Sequence, residues 1–330
     1  MDKRRRFCFL VAVLLCLVAA VLSLLLGAVR LSPGTLWQAL LNGPKTTAGY
    51  IFWFARLPRT AACLLSGAAL AVSGAIIQGV LNNRLASPGI IGVNAGAGLA
   101  VTVCCALGAL SGWTIAFFAF GGAMAAVLLV VFAARKAGAS RTTVILGGVA
   151  VNSFLNALSE AITTLVPDAG VLSGDFRVGG FSAVVPARLI PAGTLILAAL
   201  VVVLTLCNEL DVLSLGEETA QSLGLSVRQI RTVFLILAAL LAGASVSFAG
   251  LLGFVGLIVP HGVRRLVGNE SRFLLPLCAI GGAGFVTACD LAARLVFVPY
   301  ELPVGIFLSV LGGPTFLWLL MRGKGGARHG

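Results

Sequence analysis

Charge is what this sequence has least of. Only 10% of its 330 residues are charged, against about 25% in an ordinary soluble domain. Apolar residues make up 59%, and the mean hydropathy is +1.08. A soluble globule of this composition has too few polar groups for its surface. A cytosolic enzyme, a disordered chain and a secreted disulfide scaffold are therefore excluded. Other absences exclude chemistry. There is no G-x-x-x-x-G-K-[ST] phosphate loop, no H-E-x-x-H and no G-x-S-x-G nucleophile elbow. The two histidines, His261 and His329, cannot build a metal centre between them. The eight cysteines contain no C-x-x-C pair and, Cys207 apart, lie within or at the edge of apolar stretches. They read as small buried hydrophobes, not as a metal site or a disulfide framework.

What the chain does have is long apolar stretches. A membrane-crossing helix needs about 20 mostly apolar residues. Charge-free stretches run 7–29, 60–83, 85–134, 142–159, 189–208, 232–263, 273–289 and 302–321. The stretch 85–134 holds two spans, with a break expected near Ser111, Gly112 and Trp113. The stretch 142–159 extends toward Val166 if Glu160 faces a cavity. The stretch 232–263 is too long for one straight span and too short for two full ones. Its middle, Gly250 to Gly256, holds three glycines and favours helix poorly. One long helix makes nine spans; a helix followed by a short or broken one makes ten.

Positive residues collect on the cytoplasmic side of a membrane protein. With Lys3, Arg4, Arg5 and Arg6 inside, ten spans place 16 Lys and Arg inside and 7 outside. Nine spans give 11 against 12. Ten spans with both termini cytoplasmic is the better reading. It also accounts for the net charge of +12 without nucleic acid. The N-terminal run of 23 apolar residues exceeds a signal h-region of about 7–15, so it is read as a retained first helix. The sequence therefore predicts an all-α polytopic membrane protein of about ten helices in a single domain, 1–330.

Acids within the spans are few. Glu160 and Asp290 both fall near outer ends. A proton- or sodium-driven carrier usually needs an ionisable group near the midplane. Uphill transport by this chain would take its energy from a partner.

The stretch 208–228 is amphipathic and expected in the cytoplasm. Gly216 and Gly224 bracket one short helix with Glu217 and Glu218 at its start, where the helix dipole favours acids. It reads as a solvated loop helix or as a helix that docks into a partner's cleft. The spacing Glu218-x-Ala220-x-x-x-Gly224 matches the E-x-A-x-x-x-G pattern of importer permeases that engage ATPase subunits.

Further segments carry the same likeness in order along the chain. They are Arg56-Leu-Pro-Arg59-Thr, Gly67-Ala-Ala-Leu-Ala-Val-Ser73-Gly74 with Gln78, and Asn83-Arg84-Leu85-Ala86-Ser87-Pro88-Gly89. Then come Gly253-Phe-Val-Gly256 with Pro260-His261, Asp290 with Arg294, Glu301-Leu-Pro303 and Gly312-Gly-Pro314. The chain resembles the FecCD-type permeases of binding-protein-dependent ABC importers for iron–siderophores, haem and cobalamin. Two departures stand out. The family usually has Asn-Pro-Leu-Ala where this chain has Asn83-Arg84-Leu85-Ala86. The family's W-x-x-G-S region appears as Phe176-Arg177-Val-Gly179-Gly180.

The resemblance implies roles. Arg56, Arg59 and Arg294, which by charge alone could be snorkelling at the interface, are expected to receive acidic side chains of a periplasmic or lipid-anchored binding protein. Glu217, Glu218, Ala220 and Gly224, within coupling helices at 209–228, are expected to engage ABC ATPase subunits. Thr142, Thr143, Asn152 and Asn156 are expected along the translocation pathway, with an inner gate near Thr142 and Thr143. Gly67, Ser73 and Gly74 serve close helix packing, a pathway wall, or both. His261 is read as a cap or loop contact. Five spans are expected on each side of the coupling segment, which sets two five-helix halves in opposite orientation. The implied assembly pairs the permease with a second copy or a paralogue in a bacterial inner membrane. The substrate is a metal chelate, iron–siderophore before haem or cobalamin. No cofactor is expected on this chain, ATP and Mg being held by the ATPase.

Overall fold

The computed structural model describes residues 3–27, 32–138, 140–298 and 300–323. Arg30, Lys324, Arg328 and His329, used in the sequence reading, lie outside the described residues. Among the described residues the regular structure is helical throughout. Ten helices form the bundle. They are α1 (Lys3–Leu25), α2 (Leu57–Val80), α3 (Val93–Ala106), α4 (Gly112–Lys136), α5 (Arg141–Leu165), α6 (Pro186–Thr205), α7 (Val227–Ala249), α8 (Val255–Val267), α9 (Ser271–Leu295) and α10 (Val304–Gly323). Seven of the helical segments are long and apolar enough to cross a membrane. The expected turn at Ser111 separates α3 from α4.

The awkward stretch resolves as a long helix and a short one. Gly250 ends α7 at φ 69, and Phe254 opens α8 at φ 64. A bulky residue at positive φ is an outlier that its surroundings must hold. With the chain turned there, α8 runs for only 13 residues, the short partner that the loop charges required.

Span two begins earlier than its charge-free stretch at residue 60. A helical turn Thr47–Tyr50 and a π-turn Ile51–Arg56 run unbroken into α2. Pro58 in the first turn of α2 lacks an amide to continue the ladder, and the wider turn ahead of it absorbs that loss. Arg56 and Arg59 thus belong to a continuous helix, not to a loop.

The centre of the bundle is built from α2, α7 and α9. The most apolar window of the α2 segment is 78% buried, against 22% for α5. Small residues let these backbones touch. A Cβ on Gly67 would strike the Gly282 carbonyl of α9, and one on Gly74 would strike Gly256 of α8. Without a hydrophobic force between helices in lipid, such close packing is what associates them. Two hydroxyls add to it: Ser66 and Ser245 share a hydrogen bond, and Ser73 donates to the Ala238 carbonyl at 2.7 Å.

The division about the coupling segment needs correcting. Six helices precede residues 207–222 and four follow, not five and five. The two five-helix halves are instead α1–α5 and α6–α10. Their neighbour pattern nearly survives adding five to each number. α2 packs on α9 and α7 on α4; α3 on α4 and α8 on α9; α3 on α5 and α8 on α10. An odd number of spans per half inverts one against the other.

Candidate functional site

At one end of the bundle the three expected arginines meet. Arg59 grips Asp290 of α9 through Nε and Nη2, at 3.1 and 3.0 Å, and donates from Nη1 to Glu301 at 2.7 Å. Arg294, one helical turn after Asp290, pairs with the same carboxylate at 3.0 Å. It also donates to the Ser23 hydroxyl of α1 at 2.7 Å. Arg56 donates to the Ser23 carbonyl at 3.3 Å, and Ser23 and Thr60 share a hydrogen bond.

The arginines are brought together as expected, but they do not project freely. Arg56 is 6% exposed and Arg294 3%. Of the two in ion pairs, Arg59 reaches further into the open, with its side chain 15% exposed against 2% for Arg294. A buried charge persists only when paired and hydrogen-bonded, and Asp290 serves two guanidiniums at once. The pairing of Asp290 with Arg294 was readable from their i, i+4 spacing. That of Arg59 with Glu301, 242 residues apart, was not.

At the opposite end, two short helices link α6 to α7. The expected helix runs Glu217–Ser222 between Gly216 (φ 120) and Gly224 (φ 83). A second, Cys207–Ser214, had no clear signal. Glu217 pairs with Arg231 of α7 at 2.9 Å, whereas Glu218 is exposed. Ala220 is fully buried inside the chain, so its small side chain serves the bundle's own packing. The surface left for a partner is Glu218, Thr219, Gln221, Ser222 and Leu223. Arg141, at the start of α5, donates to the Leu213 carbonyl at 3.2 Å. Asp211 caps α9, accepting from the Ser271 amide at 2.9 Å and hydroxyl at 2.6 Å. Burial, then the carboxylates of Asp211 and Glu209, push the Cys207 thiol up, which keeps it protonated.

Helix α5 carries polar groups on an open face that also exposes Leu146 and Val149. Thr142, Ser153, Asn156, Glu160 and Thr164 are all exposed, and their spacing sets them along one side of a helix. Ser153 and Thr164 were missed, although the same spacing reveals them. Asn152 turns inward instead, donating to the carbonyls of Gly89 and Ile90 at 2.9 and 3.2 Å. The Thr143 amide is capped by the Ser140 hydroxyl at 3.1 Å. Gly67, Ser73 and Gly74, weighed as a pathway wall, are interior helix contacts. The region around Phe176 pins the centre: Arg177 donates to Thr102 and Ser159, and the Leu251 amide bonds to the Phe176 carbonyl at 2.9 Å. His261 is no cap: its Nε2 is buried without a partner among the described residues.

The sites are two clusters of charge at opposite ends of a helical bundle and a polar stripe between them. They define a membrane translocation subunit, not an enzyme. The FecCD transport family description matches residues 15–322. The chain is 35% identical over 315 residues to the Hemin transport system permease protein HmuU of Yersinia pestis, covering 94% of this chain and 93% of that one. It is 38% identical over 321 residues to the Iron(3+)-hydroxamate import system permease protein FhuB of Bacillus subtilis, covering 95% and 82%. Relatives of similar identity are named vitamin B12 import permeases. Among solved structures, an inward-facing putative metal-chelate type ABC transporter superposes with a TM-score of 0.83 at 28% identity, over 96% of this chain and 99% of that one. The chain belongs to the FecCD transport family: it is a multi-pass bacterial membrane protein and the permease of an ABC importer.

Proposed function

We propose that this permease imports a ferric chelate, an iron–siderophore complex, with haem or cobalamin as the alternative cargo. The exposed polar stripe on α5 carries the reading of where the cargo passes. Five hydroxyl, amide and carboxyl side chains against lipid would be costly. Facing a second permease, a copy or a paralogue, they line a wet path. Asn156 and Glu160 lie along it, and Thr142 and Thr143 stand at its inner end. Relatives named for iron–hydroxamate uptake support iron, and those named for haem and vitamin B12 keep the alternative open.

In this reading both termini and the 207–222 helices are cytoplasmic. Two ATPase subunits grip the Glu218–Leu223 surface, and ATP and Mg stay with them; this chain holds no cofactor. Closing and opening of the ATPase pair moves the coupling helices and, through the Arg141–Leu213 contact, the base of α5. A periplasmic or lipid-anchored binding protein docks at the other face, its acidic side chains reaching Arg59 in competition with Glu301. Arg56 and Arg294 form the buried floor of that dock.

Reconstitution with partner ATPase and binding protein tests this. Uptake of ferric siderophore that needs ATP and the binding protein is expected. Uptake that persists without the ATPase and collapses with an uncoupler would mean a stand-alone secondary transporter. Uptake of haem or cobalamin in place of the siderophore would reassign the cargo.

A further inference from the structure

The face that carries the start of α1 holds a cavity that the transport reading leaves unused. It measures about 160 Å³ and lies where the ends of α2, α8 and α9 meet the Cys207–Ser214 helix. Gln78, Asn82, Arg84, Asp211, Arg264 and Asn269 line it. One water needs about 10–15 Å³ of such space, so the cavity admits a group of several atoms.

Its charge is unbalanced. Arg264 donates to Gln78 Oε1 and to the Ala75 carbonyl. Among the described residues, neither Arg84 nor Arg264 has a carboxylate within ion-pair distance. The one acid in the lining, Asp211, has Oδ1 engaged by the Ser271 amide and hydroxyl. Two guanidiniums and four amide side chains, Gln78, Asn82, Asn83 and Asn269, therefore line a space with a single carboxylate, one oxygen of which is engaged; Gln78 is already bonded to Arg264 and to the Gly256 carbonyl. Arg84 brings the cavity a planar fork suited to an oxyanion. Asn82 reaches the lining from a left-handed conformation, φ 47, which asparagine tolerates better than most residues.

We propose that this cavity binds a phosphate group, held between Arg84 and Arg264 with amide donors beside it. The phosphate belongs to a phospholipid headgroup or is free in solution. Bound there, it would tie together α2, α8, α9 and the helix that leads into the coupling segment. The assignment rests on the cavity and its charges and is independent of which cargo is carried.

The test uses the full chain, purified and stripped of lipid, with its thermal midpoint as the readout. The probes are phosphatidylglycerol against diacylglycerol, and inorganic phosphate against chloride at equal ionic strength. A rise with phosphatidylglycerol alone identifies a headgroup; a rise with inorganic phosphate identifies the free anion. In either case Arg84→Gln should weaken the response at least about tenfold, the loss of one charge-assisted contact, and Arg84→Lys should restore part of it. Arg84 is exposed, so the substitution leaves the packing alone; Asn269→Ala, also at an exposed position, is the second variant should it fail to fold. No rise with either probe overturns the proposal, and so does a rise that Arg84→Gln and Asn269→Ala leave unchanged.

Discussion

The two ends of α9 are held by different physics. At its start, one acceptor oxygen of Asp211 caps the first turn, at the edge of a polar cavity. At its far end, Asp290 is buried between two guanidiniums. A cap is a modest, local contribution. A buried charge with one partner removed is a large penalty. The Asp290 end is therefore locked, while the Asp211 end is lightly fastened.

Breaking the strong end should have the largest effect. Asp290→Ala leaves Arg59 and Arg294 without their shared carboxylate. It should cost about 3–5 kcal/mol, seen as a fall in the thermal midpoint of the purified protein. Asp211→Ala should cost less, about 1–3 kcal/mol, the loss of the hydrogen bonds it accepts from the Ser271 amide and hydroxyl. Equal losses from the two would abolish the contrast. Glu217→Gln takes a carboxylate from Arg231, whose side chain is only 3% exposed, and should lower the midpoint more than Glu301→Gln does. It should also lower binding-protein-stimulated ATP turnover in proteoliposomes by loosening the coupling helix from Arg231. Glu301→Gln removes an exposed partner of Arg59 and should change stability by less than about 1 kcal/mol. Its sharper effect is on docking: pull-downs should show tighter binding-protein capture, and Arg59→Gln weaker capture.

Much of this was legible in advance, for physical reasons. Membrane spans announce themselves by apolar length, and loop arginines give their direction. The choice between nine and ten turned on the loop charges, and the chain does break at the glycines of 250–256. The helix at Glu217–Ser222 was marked by its flanking glycines. Partner identities were harder. Arg56 and Arg59 read as interfacial residues outside the charge-free stretch, and the π-turn that carries the helix back past them has no periodic signature. Ala220 looked outward because a two-turn helix does not declare which side meets its own protein. Asn152 and Asn156 share a helix face, yet one is spent on the Gly89 and Ile90 carbonyls and the other is open. Those carbonyls sit more than 60 residues away, and no local pattern records them.

The glycine contacts between α2 and its neighbours set a limit on how this molecule can change shape. Where Gly67 meets Gly282 and Gly74 meets Gly256, backbone rests on backbone. No side chain lies between them to swing aside, so the helices cannot slide past one another without a clash or a void. The centre acts as a fixed keel. The outer helices are bound less tightly into the interior, α5 among them with its most apolar window only 22% buried, and they are where a cycle of opening and closing meets least resistance.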